Sequence, residues 1–422
     1  MESILLSNIA AIIVKDILID NNTKNKPHEC ETNDFPLLSR DTEDEALVYF
    51  FKRKRKKPQR SSVESEMQTT SKSRKYISIK DAASNSTHTH TTQYEPSNRR
   101  MPLEINLINE FNSTIFEGYL HMSKMTFLRI FKRLRQYLPY NHYPTAAPPQ
   151  SIFSLALWKL STNEHFEDIS RKFSITKHVC QQVIRLFWRR ISAQYEALIV
   201  WPSTPEKRNY TIKNFQSHQQ LQRFNQIFGI IAIKQLDVFL TAENEERQVI
   251  LQIICDADKK VIDCFFVLAS EYSFDASPIG QTLALNVQTM PAGSYLIGDQ
   301  NFPLKPYLMR PIGAPSDDSE RAFNAALLPA LLIGEQVLDA MATRFNVLYS
   351  LEARNLHEAR KIIDTICALH NLCVEMEDDY VDRKLKDIQF NWTKVAVGVI
   401  KKTEVEEDTQ GRQKRNALME YY

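Results

Sequence analysis

Glycine is scarce, with nine residues in a chain of 422, well under the roughly 7% of ordinary usage. Glycine-rich phosphate cradles and glycine-punctuated solenoids are therefore poor readings, and neither G-x-G-x-x-G nor a Walker A sequence occurs. The six cysteines (Cys30, Cys180, Cys255, Cys264, Cys367 and Cys373) include no C-x-x-C pair. Most of them sit in apolar stretches, where a free thiol packs as a small hydrophobe, so a reducing compartment is expected. Charge of one sign is not in excess: 53 Lys and Arg stand against 51 Asp and Glu. That balance excludes both a polycation and an acidic scaffold. Long apolar runs are also missing. Ile4 to Ile19 follows Glu2, is broken by Lys15 and Asp16, and lacks the basic start and cleavage site of a signal peptide. No other run approaches the ~20 apolar residues that cross a bilayer. No membrane partner is expected, and the chain is assigned to cytosol or nucleus.

What is present is 43% hydrophobic residues, enough to bury a core, in a length that allows two or three domains. From Asn21 to Arg100 the composition turns to Ser, Thr, Asn, Lys and Arg, a mixture that cannot offset its ordering entropy. A mostly disordered arm over 1–100 is expected. Inside it runs Lys52-Arg53-Lys54-Arg55-Lys56-Lys57-Pro58-Gln59-Arg60, without one acid. Such a run serves as a solvated charge block, a nuclear-import signal or a phosphate-binding patch, and import is the reading taken here. His88 and His90 in the Thr-rich part are too few to hold a metal.

From Met101 the period becomes helical. Ser123 can cap a helix carrying Phe127, Phe131, Leu134 and Leu138 inward, with Lys132, Arg133 and Arg135 turned out. A second helix is expected over Ser151 to Leu160. Glu164 to Phe173, a break at Ser174-Ile175, and a helix capped by Thr176 with Val179, Val183, Phe187 and Ile191 inward read as a helix-turn-helix. The outward face of its second helix offers Lys177, His178, Gln181, Gln182 and Arg185, side chains able to meet phosphates and base edges. A packing hairpin would look the same. Trp158, Trp188 and Trp201 are read as anchors of the core and domain edge.

After Trp201 the pattern is that of strands: Ile227 to Ile233, then Gln248 to Cys255 and Val261 to Leu268 around the turn Asp256-Ala257-Asp258-Lys259-Lys260. A helix over Ala276 to Val287, a short strand over Ser294 to Ile297, and helices over Leu327 to Tyr349 and Leu356 to Glu375 complete an α/β domain with a mixed sheet. The organisation expected is a helical helix-turn-helix domain over 101–203, the α/β domain over 204–376 and a charged tail over 377–422. Within that tail, Phe390 to Ile400 is the one apolar stretch.

Two acids stand beside apolar segments, where a carboxylate costs desolvation unless a cation compensates. Asp299 follows Tyr295-Leu296-Ile297-Gly298, and Glu335 follows Leu331-Leu332-Ile333-Gly334 at or near a helix start. Each alone reads as a loop or helix-start acid.

Their order among other motifs carries more. Met122-Ser123 with Phe127, Phe173-Ser174-Ile175-Thr176, Cys255-Asp256-Ala257-Asp258, Ser273-Phe274-Asp275, Gly298-Asp299-Gln300-Asn301-Phe302-Pro303-Leu304, Phe323-Asn324, Glu335, Arg344-Phe345 and Leu369-His370-Asn371 follow one another. In this order the chain resembles the PIF/Harbinger transposase-derived nucleases, DDE superfamily endonucleases with an RNase H-like fold. The resemblance implies a site of three carboxylates holding two divalent ions, Mg²⁺ or Mn²⁺, that cut a phosphodiester. It also implies a Myb- or SANT-like DNA-binding partner and a nuclear setting. By resemblance Asp299 is the second acid and Glu335 the third. The first should lie in a motif like Ala-Ile-Asp-Gly-Thr-His, yet the matching stretch is Ala232-Ile233-Lys234-Gln235-Leu236-Asp237. Lys234 stands where the Asp should be.

An ammonium there repels dications, and an internal ion pair of Lys234 with Asp299 and Glu335 is expected in place of metal. Asp237 falls on the other face of the strand, and Asp256 and Asp258 belong to the far turn. Further departures are Phe274 for the family's His, Leu236 for its Thr, Leu331 for an Arg, and Asp339 and Ala342 for the Gly and Lys after the third acid. The expected protein keeps the scaffold, has a damaged nuclease site, and acts by binding DNA or protein. The alternative is an active endonuclease with a substitute first carboxylate.

Overall fold

The strand pattern after Trp201 closes into one six-stranded sheet in the computed structural model, which describes residues 105–138, 147–285, 289–385 and 407–420. All of these lie in the unit spanning 94–422. The basic run, the Thr-rich segment and the Phe390 to Ile400 stretch lie outside the described residues.

The strands are β1 (Ile227–Leu240), β2 (Glu245–Cys255), β3 (Val261–Leu268), β4 (Tyr295–Ile297), β5 (Leu308–Met309) and β6 (Leu351–Ala353). Their order is β3-β2-β1-β4-β5, with β6 also paired to β1. The first three run antiparallel through the expected hairpin, and β4, β5 and β6 are added in parallel. β1 is twice as long as its apolar core implies, because β2 pairs with it as far as Leu240↔Glu245. On its other edge β4 reaches Ile230 and β6 begins at Val238. Between them, around Lys234, that edge carries no strand among the described residues.

Ahead of the sheet come helices α1 (Leu107–Glu110), α2 (Ser113–Leu120), α3 (Lys124–Leu134), α4 (Pro149–Thr162), α5 (Phe166–Lys172), α6 (Lys177–Ser192), α7 (Tyr195–Leu198) and α8 (Pro205–Ser217). The caps are those the sequence offers. The Ser123 hydroxyl accepts from the Thr126 N–H at 3.0 Å, and the Thr176 hydroxyl from the Val179 N–H at 3.3 Å. α5 and α6 are joined by a turn with Ser174 in the left-handed region at φ 54°. α4 is buried along nearly its whole length. Even Lys159 is 1% exposed, its ammonium donating to Asn163 Oδ1 and the Glu164 carbonyl, each at 3.0 Å.

The remaining helices are α9 (Pro278–Leu285), α10 (Asp318–Arg344), α11 (Leu356–Glu375), α12 (Tyr380–Leu385) and α13 (Thr409–Met419). One face of β1, carrying Ile230, Ala232 and Leu236, shares a core with α10, α11, α6 and α4. The other, carrying Phe228 and Ile231, packs on Ile212 of α8, Leu283 of α9, Phe274 and Phe302. The helical segment and the sheet thus share one continuous apolar core. Trp158 and Trp188 are buried in it, while Trp201 packs its ring 5.3 Å from Phe228.

Three expectations need correction. α10 begins at Asp318, whose neighbour Asp317 caps it by accepting from the Glu320 N–H at 2.8 Å. Glu335 is therefore inside a 27-residue helix and not at its start. By length and composition this helix could also cross a bilayer, contrary to the reading of the runs. Its apolar residues Phe323, Leu327, Ile333 and Val337 are instead buried in the core shared with the sheet. Finally, the charged tail contains α13, held by Glu407, which receives Arg310 at 3.0 Å and Arg415 at 3.2 Å. Gly411 lets this helix lie on the Leu304 backbone, where an added Cβ would meet it at 3.1 Å.

One buried ion pair joins three distant parts of the chain. Arg344, at the end of α10, reaches Asp378 at 2.7 Å with side chains 4% and 0% exposed. The same carboxylate accepts from the Ser123 N–H at 3.0 Å, and Arg344 donates to the His121 carbonyl at 2.5 Å. Burial alone would raise the Asp378 carboxyl, but Arg344, Thr126 and Ser123 outweigh it and hold the group below its ordinary value. That contribution is fully present above the unfolded value near 3.9 and is lost as pH falls through the lower folded value. Asp378→Ala leaves the guanidinium buried and unpaired, so urea unfolding at neutral pH should show a loss of about 3–5 kcal/mol. A loss below about 1 kcal/mol would place the pair among contacts that add nothing measurable.

Candidate functional site

The site is set by how closely α10 lies on β1. Gly334 has no side chain to hold the helix off. A Cβ there would come within 3.0 Å of the Ala232 Cβ and 3.1 Å of Ile230 Cγ2. Ala232 and Ile230 share a face of β1 with residue 234, since side chains alternate along a strand. Whatever stands at 234 therefore meets the stretch of α10 just past Gly334. Lys234 does so, with its ammonium 3.8 Å from Asp339 Oδ1, one helical turn beyond Glu335.

Asp299 arrives from β4, where Ile297 pairs with Ile230. Gly298 allows the turn, because a Cβ would fall 2.6 Å from the Phe302 ring and 2.8 Å from Ile231. The Asn301 N–H then donates to Asp299 Oδ1 at 2.8 Å. Behind this loop Arg310 donates to the Gln300 carbonyl at 3.1 Å and pairs with Glu407. Tyr272 stands nearby, donating to Gln252 Oε1 at 2.9 Å; its hydroxyl is pushed up by burial and by the Asp299 charge.

The two acids share an under-neutralised environment. Burial pushes Asp299 up to about 6, against the opposing hydrogen bonds of Asn301 and the charge of Arg310. Glu335 is pushed up to about 7, first by burial, then by the charges of Asp339 and Asp299, with Lys234 opposing. Glu335 thus feels the Asp299 charge, which puts the second and third acids of the resemblance within electrostatic reach of each other. The expected ion pair is corrected in its partner: the ammonium faces Asp339, the residue that replaces the family's Gly, and not Asp299 and Glu335. The sequence reading does not place Asp339, Arg310 and Tyr272 in this site. Of these only Asp339 carried a signal, its four-residue step from Glu335 on a helix.

The donor set does not fit a two-ion centre. Asp237 is exposed and one odd step further along β1, on the opposite face. Asp256 follows Cys255, which pairs with Ile230, so the turn acids lie roughly 13 Å of strand away from Lys234. No group of three or more His, Cys, Asp or Glu able to hold a metal ion occurs among the described residues. Where the family has His and Tyr, Phe274 and Phe302 pack edge to face with ring centres 6.1 Å apart. That is an apolar plug, without the hydrogen-bonding reach of the pair it replaces.

Two of the five residues expected to touch DNA, Lys177 and Arg185, are engaged within the molecule. α6 is packed between α4 and α11. Arg185 pairs through Nε with Glu358 of α11 at 2.6 Å, and Lys177 pairs with Glu167 at 2.6 Å. Together with Gln181, His165 and Glu352 they line a cavity of about 350 Å³. Gln182 is half-buried, and His178 is exposed at the helix start.

Residues 238–371 match the family described as DDE superfamily endonuclease. The match begins just after Lys234 and runs through Asp299 and Glu335 to Asn371. The chain is also 22% identical over 299 residues to Protein ALP1-like of Arabidopsis thaliana, covering 63% of this chain and 72% of that protein. No solved structure matches. The resemblance to DDE superfamily endonucleases read from the ordered motifs is borne out, and residues 238–371 are the part of the chain that carries the family match.

Proposed function

We propose that this chain is a transposase-derived nuclear protein whose DDE domain no longer cuts, and that it acts in chromatin or transcription by binding DNA, protein or both. One observation carries the reading: at the position of the first acid, Lys234 projects an ammonium to within 3.8 Å of Asp339, beside Glu335. Exchanging a carboxylate for an ammonium changes the local charge by two. At about 4 Å and an effective dielectric near 20, each added repulsion on a cation is about 4 kcal/mol per unit charge. A dication meets twice that, with one ligand fewer to hold it. Divalent Mg²⁺ or Mn²⁺ is accordingly read as lost from this site.

The mixed sheet, with three antiparallel strands and parallel additions beyond β1, supports an RNase H-like reading of the scaffold. The helix-turn-helix segment, the basic run Lys52 to Lys57 and a Myb- or SANT-like partner belong to the same proposal. The active alternative has one residue in its favour, Asp339, a third carboxylate near Glu335. That residue already faces Lys234.

Plasmid nicking in Mg²⁺ or Mn²⁺ tests the reading. The unmodified protein and Glu335→Ala should leave supercoiled DNA intact, and Lys234→Asp should gain divalent-dependent nicking. Cleavage by the unmodified protein that disappears in Glu335→Ala or Asp339→Asn would establish the active alternative.

The raised carboxyls give a second test. A carboxyl whose folded value lies near 7 keeps its proton in the native state between about pH 4.5 and 7, so stability falls as pH rises through that window. Glu335→Gln removes the cost and should stabilise the protein by about 1–3 kcal/mol at pH 8 relative to pH 5. Equal effects at the two pH values would mean that Glu335 is neutralised within the fold.

A further inference from the structure

From Gly118 to Asn163 the chain contains no Asp or Glu, while it contains Lys124, Arg129, Lys132, Arg133, Arg135 and Lys159. The structure separates these cations by task. Lys159 is buried, and Lys124 donates to the carbonyls of Ile108 and Phe111 that end α1. Arg133 pairs with Glu375. Arg129, Lys132 and Arg135 remain, all exposed and, among the described residues, without an ion-pair partner.

The three recur at every third residue along α3 and its short continuation Arg135–Tyr137. They therefore share one side of the helix with Met125, Leu128 and Gln136, which are also exposed. The opposite side, Phe127, Ile130 and Leu134, is locked in the core. A helix so held cannot turn its apolar side to a bilayer. Its free side offers two apolar residues against three cations, a poor composition for insertion and a good one for a polyanion. Arg129 to Arg135 spans roughly 9 Å of helix at 1.5 Å per residue, a length over which extended side chains reach successive phosphates of one strand.

Resting on the DNA-binding reading above, we infer that the exposed side of α3, through Arg129, Lys132 and Arg135, is a docking surface for the phosphate backbone of duplex DNA. It positions without reading sequence, since none of the three is held in a geometry that selects a base edge. It takes the part that the helix-turn-helix reading gave to α6, whose Arg185 is committed to Glu358. Counterion release gives the surface a measurable signature: three phosphate contacts steepen the slope of log affinity against log salt by about 2.7.

The test uses the full chain, a labelled duplex of arbitrary sequence and a salt titration followed by fluorescence anisotropy. Arg129→Gln/Lys132→Gln/Arg135→Gln, with no ion pair or side-chain hydrogen bond to lose among the described residues, should melt at the unmodified temperature. It should bind about tenfold or more weakly at moderate salt, with a slope shallower by about 2–3. Lys207→Gln/Lys213→Gln/Arg354→Gln removes the same charge elsewhere and should lose much less. If the unmodified protein binds duplex and the α3 variant keeps its affinity and slope, or if both triple variants lose equally, this surface is wrong while the DNA-binding reading stands. If the unmodified protein shows no salt-dependent binding, that reading falls and takes this surface with it. Vesicles of phosphatidylcholine with phosphatidylserine complete the design. Vesicle binding lost in the α3 variant while duplex affinity is unchanged would overturn the inference in favour of a membrane.

Discussion

The contact of Gly334 with Ala232 and Ile230 is the constraint on which the site depends. It presses the middle of α10 onto the middle of β1, where the pairing with β4 ends at Ile230 and the strand's outer edge is left without a neighbour among the described residues until β6 begins at Val238. Because the backbones approach so closely, the side chains that follow on each element have no choice but to meet. Residue 234 is thrown against Asp339, one turn beyond Glu335, and the parallel pairing of β4 brings Asp299 within electrostatic reach of Glu335. The scaffold would bring three acids together if position 234 carried one. Here it sets an ammonium against Asp339, beside a Glu335 that feels the charges of both Asp339 and Asp299.

The consequences are electrostatic. Lys234 and Asp339 form a loose pair, 3.8 Å apart and partly exposed, whose direct contribution to stability is small. Its effect lies in what it leaves undone. Asp299 keeps its desolvation cost, and Glu335 keeps its own together with the repulsion of Asp339 and Asp299, which holds both carboxyls above the ordinary range. A site adapted to metal leaves such a deficit for the ion to fill. Replacing the first acid with an ammonium introduces a charge that opposes the ion without neutralising the remaining acids.

Much of this was legible in the chain. The alternation of β1, the acid after β4 and the displaced Lys234 are local features, and local features survive in sequence. What was hidden depends on contacts between distant segments. The periodicity of α6 correctly turns Val183, Phe187 and Ile191 inward, but it cannot reveal that α11, coming much later, covers the opposite side and claims Arg185. α10 begins at Asp318, nine residues ahead of the expected Leu327, where Asp317 caps it by accepting from the Glu320 N–H. The tail helix α13 was hidden because its holding contacts are charged, with Arg310 and Arg415 sharing Glu407. Asp339 stands at the position of the family's Gly in the resemblance, and only the fold sets Lys234 opposite it.

The central claim is that a fixed cation has displaced mobile ones. Mn²⁺ titration followed by electron paramagnetic resonance tests it most directly, with the unmodified protein beside Glu335→Ala. The account predicts identical titrations, with no ion whose signal depends on Glu335. A bound Mn²⁺ present in the unmodified protein and missing in Glu335→Ala would contradict it.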